Sequence, residues 1–140
     1  MAEDPKAVVR RFVEEYQSGN HDVAVAEELL ADDFVDHSPF GLFPPDREGV
    51  LGLFGMLIGA FPDLGAQIHE QYVDGDTVIT RKTFHGTHRG ELMGVPASGN
   101  TVSFDVIDIV RVAHGTMREH WNVVDALALM QGVGAVPATG

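Results

Sequence analysis

The hydrophobic pattern of this chain changes period once, at Pro62, and that change constrains its fold more than any other feature. Before it, apolar residues recur at helical spacing; after it they alternate. From Pro5 to Ser18, Val8, Val9, Phe12, Val13 and Tyr16 fall on one helical face, with Asp4 placed as a cap and Pro5 at the first helical position. Gly19 and Asn20 end that helix. Asp22 opens a second through Leu30, and ADDFVDHSP then reads as an extended loop carrying Phe34 and His37. A third helix starts after Pro44 and Pro45 and runs to Phe61, burying Val50, Leu53, Phe54, Leu57 and Ile58.

Beyond Pro62, AQIHEQYV reaches a turn at Asp74 to Asp76, and TVITRKTFHGTH follows. A loop around Met93 to Asn100 leads into TVSFDVIDIVRV, the turn AHGT, and MREHWNVVDALALM. About four strands result, at least two pairs of them hairpins. Helices first and antiparallel strands afterwards imply an α+β domain with the sheet wrapped around the helices. One domain over residues 1–130 is expected, with a flexible tail of small residues over 131–140.

Composition narrows the function by exclusion. The absence of cysteine removes disulfides, thiolate nucleophiles and cysteine-bound metals together. With 21 acidic against 9 basic residues, the net charge of −12 repels phosphate backbones and anionic membranes, so neither nucleic acid nor membrane is an expected partner. No apolar run approaches the roughly 20 residues of a membrane span, and the acidic start Met-Ala-Glu-Asp-Pro lacks the regions of a signal peptide, which makes the cytoplasm the default location. His85 and His88 of HGTH point to opposite faces of a regular strand, and no H-x-x-x-H or H-E-x-x-H occurs, so no metal is expected. Phosphate-cradle and nucleophile-elbow motifs are missing too, and with them the case for a nucleotide cofactor or a serine hydrolase.

The polar groups of interest lie on the last two strands. Val102, Phe104, Val106, Asp108 and Val110 share one face, leaving Asp108 as the lone charge in an apolar row. A carboxylate there has either a partner, with Arg81, Arg111 and Arg118 the candidates, or a raised pKa suited to proton transfer. If the AHGT turn centres on His114 and Gly115, Asp108 falls across from His120 to Asn122, uniting a carboxylate, an imidazole and an amide. A register slip of one residue would turn one side away. In this arrangement Asp108 accepts a proton, His120 donates one or holds the acid, and Asn122 donates a hydrogen bond to a substrate oxygen. Candidate substrate contacts are Phe34, His37, Phe54, Leu57, Phe61, Arg81, His88, Met93 and Trp121. Arg81 and His88 stand on opposite faces of one strand, and parity leaves open which face looks inward.

The runs FVDHSP, GVLGLFGMLIGAFPDL and FHGTHRGELMGVPASGNTVSFDVIDIVRVAHGTMREHWNVVD resemble the SnoaL-like polyketide cyclase family of the nuclear transport factor 2-like superfamily. The resemblance spans Phe34 to Asp125. It implies a cone-shaped fold, a curved antiparallel sheet around a mostly apolar pocket closed by helices, and a homodimer formed through the outer sheet face. It also implies an intramolecular aldol condensation of a hydrophobic, polyketide-like ester, with no cofactor and no metal. In such cyclases an aspartate of the last strand is the acid–base; here the usual EHWD reads EHWN, and Asn122 stands in its place. An amide takes no proton at neutral pH, so Asp108, which matches a position where these cyclases can carry a pocket histidine, is the expected substitute base. Rival readings are a non-catalytic small-molecule-binding protein of the same fold and a hydrolase or hydroxylase relative.

Overall fold

Among the described residues four aspartates open the four α-helices. Asp4 caps α1 (Pro5–Phe12), Asp22 caps α2 (Val23–Leu29), Asp46 caps α3 (Arg47–Ala60) and Asp125 caps α4 (Ala126–Gly132), each accepting a backbone N–H at 3.0 Å. Each such cap satisfies a donor that the first turn leaves free, worth about 1 kcal/mol. The chain is described here by a computed structural model covering residues 4–137. After Phe12 the first helix widens into a π-helical turn, Val13–Gln17, a feature frequent at functional sites.

Among the described residues five strands form one open, mixed sheet in the order β1-β5-β4-β3-β2: β1 (Leu30–Asp36), β2 (Gly65–Asp74), β3 (Thr77–Thr87), β4 (Thr101–Ala113) and β5 (Thr116–Val124). Neighbours are antiparallel except β1 and β5, which run parallel. The strand β1 corrects the expected loop. Its exposed acids Asp32 and Asp33 mask the pattern in the sequence, and only the pairing with β5 supplies its ladder. The end of β5 is a second correction: DALALM is not strand but the start of α4, because Asp125 caps a run of good helix formers. Residues 131 and 132, assigned to the tail from sequence, complete that helix, Val133 caps it and is buried, and Gly132 lies so close to Val102 that a Cβ would meet it at 2.7 Å. Residues 138–140 lie outside the described residues.

The helices pack on the inner sheet face through linked aromatic rings. Phe12 meets Tyr16, Tyr16 meets Phe54, Phe54 meets Phe84, and Phe84 meets Phe104, with centroids 5.2 to 5.9 Å apart. Among the described residues no helix is long and apolar enough to cross a membrane.

One irregularity decides what the inner face carries. His114 and Gly115 form a tight turn with positive φ of 54° and 75°, and from it Val112 pairs with Met117. The next pair is Arg111 with Glu119, so Arg118 is an extra, bulged residue. The bulge switches the inward parity of β5 from Met117 to His120, Asn122 and Val124, and sets Asp108 directly opposite Asn122. Deleting Arg118 removes only the unpaired residue and leaves Met117, Glu119 and His120 in regular alternation, so His120 is expected to stay inward with its titration still near 9, read by NMR. A titration that falls towards the ordinary 6.5 would mean that Arg118 is not the extra residue of the strand.

Candidate active site

Between α1, α3 and the inner sheet face lies a cavity of about 990 Å3, counting its open mouth. Most of its wall is apolar, with Phe12, Phe34, Phe54, Phe84 and Phe104 contributing rings, and Phe40 and Met93 also lining it. Met93 and Gly94 are the tip of a tight turn closed by Leu92 and Val95, and Met93 takes a positive φ of 47° there.

One wall is polar, and its groups form a continuous chain. Gln17 Oε1 accepts from Lys82 Nζ at 2.6 Å; Lys82 Nζ lies 2.5 Å from Asp108 Oδ2; His120 Nε2 is 2.7 Å from Asp108 Oδ1; and His120 Nδ1 is 3.0 Å from Asp36 Oδ1. The Ser38 N–H donates to the same Asp36 oxygen at 2.9 Å, and the Asn122 N–H donates to Ser38 Oγ at 3.1 Å. Sheet order explains the assembly: β1, β5, β4 and β3 are consecutive, so Asp36, His120, Asp108 and Lys82 meet side by side across them. The Lys82 ammonium also sits 4.9 Å from the centroid of the Phe84 ring.

Burial and pairing compete at this wall, and pairing prevails. Burial alone would push the Asp108 carboxyl up, but the Lys82 charge and the His120 hydrogen bond hold it well below the usual carboxylate range. His120 would be driven neutral by burial, yet its hydrogen bonds to Asp108 and Asp36 raise it to about 9. At neutral pH the ring is thus an imidazolium donating from both nitrogens, one to each carboxylate. This corrects the expectation of a raised pKa at Asp108. Its partner is also none of the three arginines but Lys82, which is 3% exposed.

Asp108, His120 and Asn122 all line the cavity, as do Phe34, Phe54, Leu57 and Met93. The Asn122 side chain makes no hydrogen bond among the described residues, which leaves its amide available to a ligand. The remaining candidates stand elsewhere. Arg81 is on the outer sheet face, bonded to Glu70 at 2.6 Å, because the inward parity of β3 is that of Thr80, Lys82 and Phe84. Trp121 is outward as well, its ring stacked on His37 at 4.6 Å, and His37 Nε2 is 3.1 Å from Glu119 Oε1, clear of the cavity. Phe61 is core, packed 5.7 Å from His88, and the fully buried His88 holds Ser98 of the following loop instead of facing the cavity.

Sequence reasoning missed Gln17, Asp36, Ser38 and Lys82. The signal for Lys82 was present, since it shares parity with Phe84, and an inward Phe84 carries Lys82 with it. Gln17 depends on the π-helical turn and Asp36 on the parallel pairing, and neither has a local signature. Among the described residues no group of three or more His, Asp or Glu is arranged to hold a metal ion.

A family profile described as SnoaL-like polyketide cyclase matches residues 6–133, nearly the whole chain. The chain belongs to the SnoaL-like polyketide cyclase family. Aklanonic acid methyl ester cyclase DnrD of Streptomyces peucetius is 30% identical over 132 residues, covering 91% of this chain and 88% of that protein. The crystal structure of IdmH, a proposed polyketide cyclase of Streptomyces antibioticus, superposes with a TM-score of 0.82 at 31% identity, covering 94% of this chain and 99% of the other. AclR of Streptomyces galilaeus, a proposed hydroxylase, gives a TM-score of 0.86 at 26% identity over 97% of this chain and 84% of its own. The α+β architecture of this SnoaL-like chain is accordingly the cone-shaped nuclear transport factor 2-like fold, with the polar wall set inside the cone.

Proposed function

We propose that this SnoaL-like protein is a cofactor-independent cyclase that closes a ring by intramolecular aldol chemistry on a hydrophobic, polyketide-like ester. The observation that carries the reading is the imidazolium of His120, clamped by two carboxylates at one wall of an apolar cavity. Ring closure needs a base for a C–H flanked by carbonyls, a proton for the oxygen of the attacked carbonyl, and a donor for the enolate oxygen. His120 places a fixed positive charge at the wall where negative charge develops on oxygen, Asp108 keeps it charged and oriented, and the free amide of Asn122 holds the oxygen. The apolar lining excludes water and accepts a flat ring system.

The test is turnover of an anthraquinone-type polyketide methyl ester bearing a β-keto ester arm, followed by chromatography and mass. Aldol closure is an isomerisation, so the expected product has the mass of the substrate and a new retention time. The likeness to AclR favours hydroxylation as a second reading, and its product would carry one additional oxygen atom. A bound but unaltered ester would contradict both.

The reading includes a homodimer through the outer sheet face. Tyr72, Ile79, Ile107, Trp121 and Val123 are exposed there in adjoining cross-strand rows, with Val123 74% exposed. On this face Arg81 pairs with Glu70 and Arg111 with Glu119, while the exposed Asp105 accepts from the Thr83 hydroxyl. Ile107→Lys combined with Val123→Lys is expected to give a monomer by light scattering with the cavity intact. A wild type that is already monomeric would remove the dimer from the account.

A further inference from the structure

Both oxygens of Asp108 are committed to cations, Oδ1 to His120 at 2.7 Å and Oδ2 to Lys82 at 2.5 Å. A carboxylate so engaged is a poor acceptor for a carbon-bound proton, and Asn122 accepts none. Asp36 is placed differently. Its Oδ1 receives His120 Nδ1 and the Ser38 N–H, whereas its Oδ2 takes no hydrogen bond among the described residues, and the residue lines the cavity. Its backbone is fixed by a hydrogen bond from its own N–H to the Pro45 carbonyl at 3.0 Å and by the parallel pairing with His120.

Building on the ring-closure reading, we propose that Asp36 is the catalytic base, its free Oδ2 taking the substrate's carbon-bound proton and returning it to the oxygen of the attacked carbonyl. The position fits the departure at Asn122, whose N–H is hydrogen-bonded to Ser38, two residues from Asp36. A carboxylate absent from β5 is thereby provided by β1, the strand beside it.

The step balances without a co-reactant. Asp36 removes the proton from the carbon between two carbonyls, and the C–H electron pair becomes the new C–C bond to the attacked carbonyl carbon. The π pair of that carbonyl moves onto its oxygen, which takes the proton back from Asp36 Oδ2. Asp36 is then a carboxylate again, the His120 imidazolium has kept both of its N–H hydrogen bonds, and the site is as it began.

The test isolates the first half of the reaction. A substrate analogue that keeps the β-keto ester but lacks the electrophilic carbonyl is incubated in D2O, and deuterium incorporation at the acidic carbon is followed by NMR. The wild type is expected to exchange. Asp36→Asn is expected to lose about 10²-fold or more of that rate while still binding the analogue by calorimetry. Asp36→Ala is expected to recover exchange when formate, a free carboxylate, is added, a rescue that a merely structural role would not give. Exchange that survives Asp36→Asn, or an Asp36→Ala variant that formate does not rescue, overturns the assignment and leaves the cyclase reading standing. A wild type that neither exchanges nor closes the ring overturns that reading, and this assignment with it.

Discussion

Asp108→Ala is expected to lower the stability of the fold by about 3–5 kcal/mol, because it leaves a buried ammonium with no counter-charge. Lys82 is 3% exposed and its remaining polar contact is the Gln17 carbonyl, a neutral group. For a domain whose total stability is about 5–15 kcal/mol, such a loss removes a large share. Charge, not volume, is responsible, so Asp108→Asn is expected to be nearly as damaging. Replacing both members, as in Lys82→Met with Asp108→Leu, is expected to recover most of the loss in urea denaturation, since an apolar pair of similar size carries no desolvation penalty. A single variant within about 1 kcal/mol of wild type would show that water reaches the wall and screens Lys82.

His120→Gln is expected to reduce turnover by about 10²–10⁴-fold, and its second effect is on the pH dependence of stability. The imidazole is raised from its ordinary value of 6.5 to about 9 in the folded protein. Its contribution is therefore fully present below 6.5 and is lost as the pH rises through about 9. Asp108 is shifted the other way, so its contribution is present above the ordinary carboxylate range and disappears as the pH falls below it. The wild type should be most stable between these limits. In His120→Gln the alkaline loss should vanish, which a series of thermal midpoints from pH 6 to 10 would reveal as a flattened limb. Identical alkaline limbs in the two proteins would place the titrating group elsewhere.

The order of helices and strands was legible because local periodicity reports which face of an element is buried. Asp108 stood out for the same reason, a charge at an inward position of β4. What escaped depends on contacts between distant segments. A stretch holding Asp32 and Asp33 becomes a strand only when β5 is beside it, and Asp36 joins the wall only through that pairing. The Arg118 bulge sets which side of β5 faces in, and it shows in the pairing alone. The pKa of Asp108 was misjudged in direction because desolvation could be inferred from the apolar row, whereas the cation opposing it arrives from a different strand.

The proton held on His120 between two carboxylates is tested most directly by nitrogen NMR of the ring in the ligand-free protein. Both ring nitrogens are expected to be protonated through neutral pH, with their shifts moving together only near pH 9. A neutral ring at pH 7, with one protonated and one bare nitrogen, would contradict the charged clamp and the ring-closure chemistry built on it.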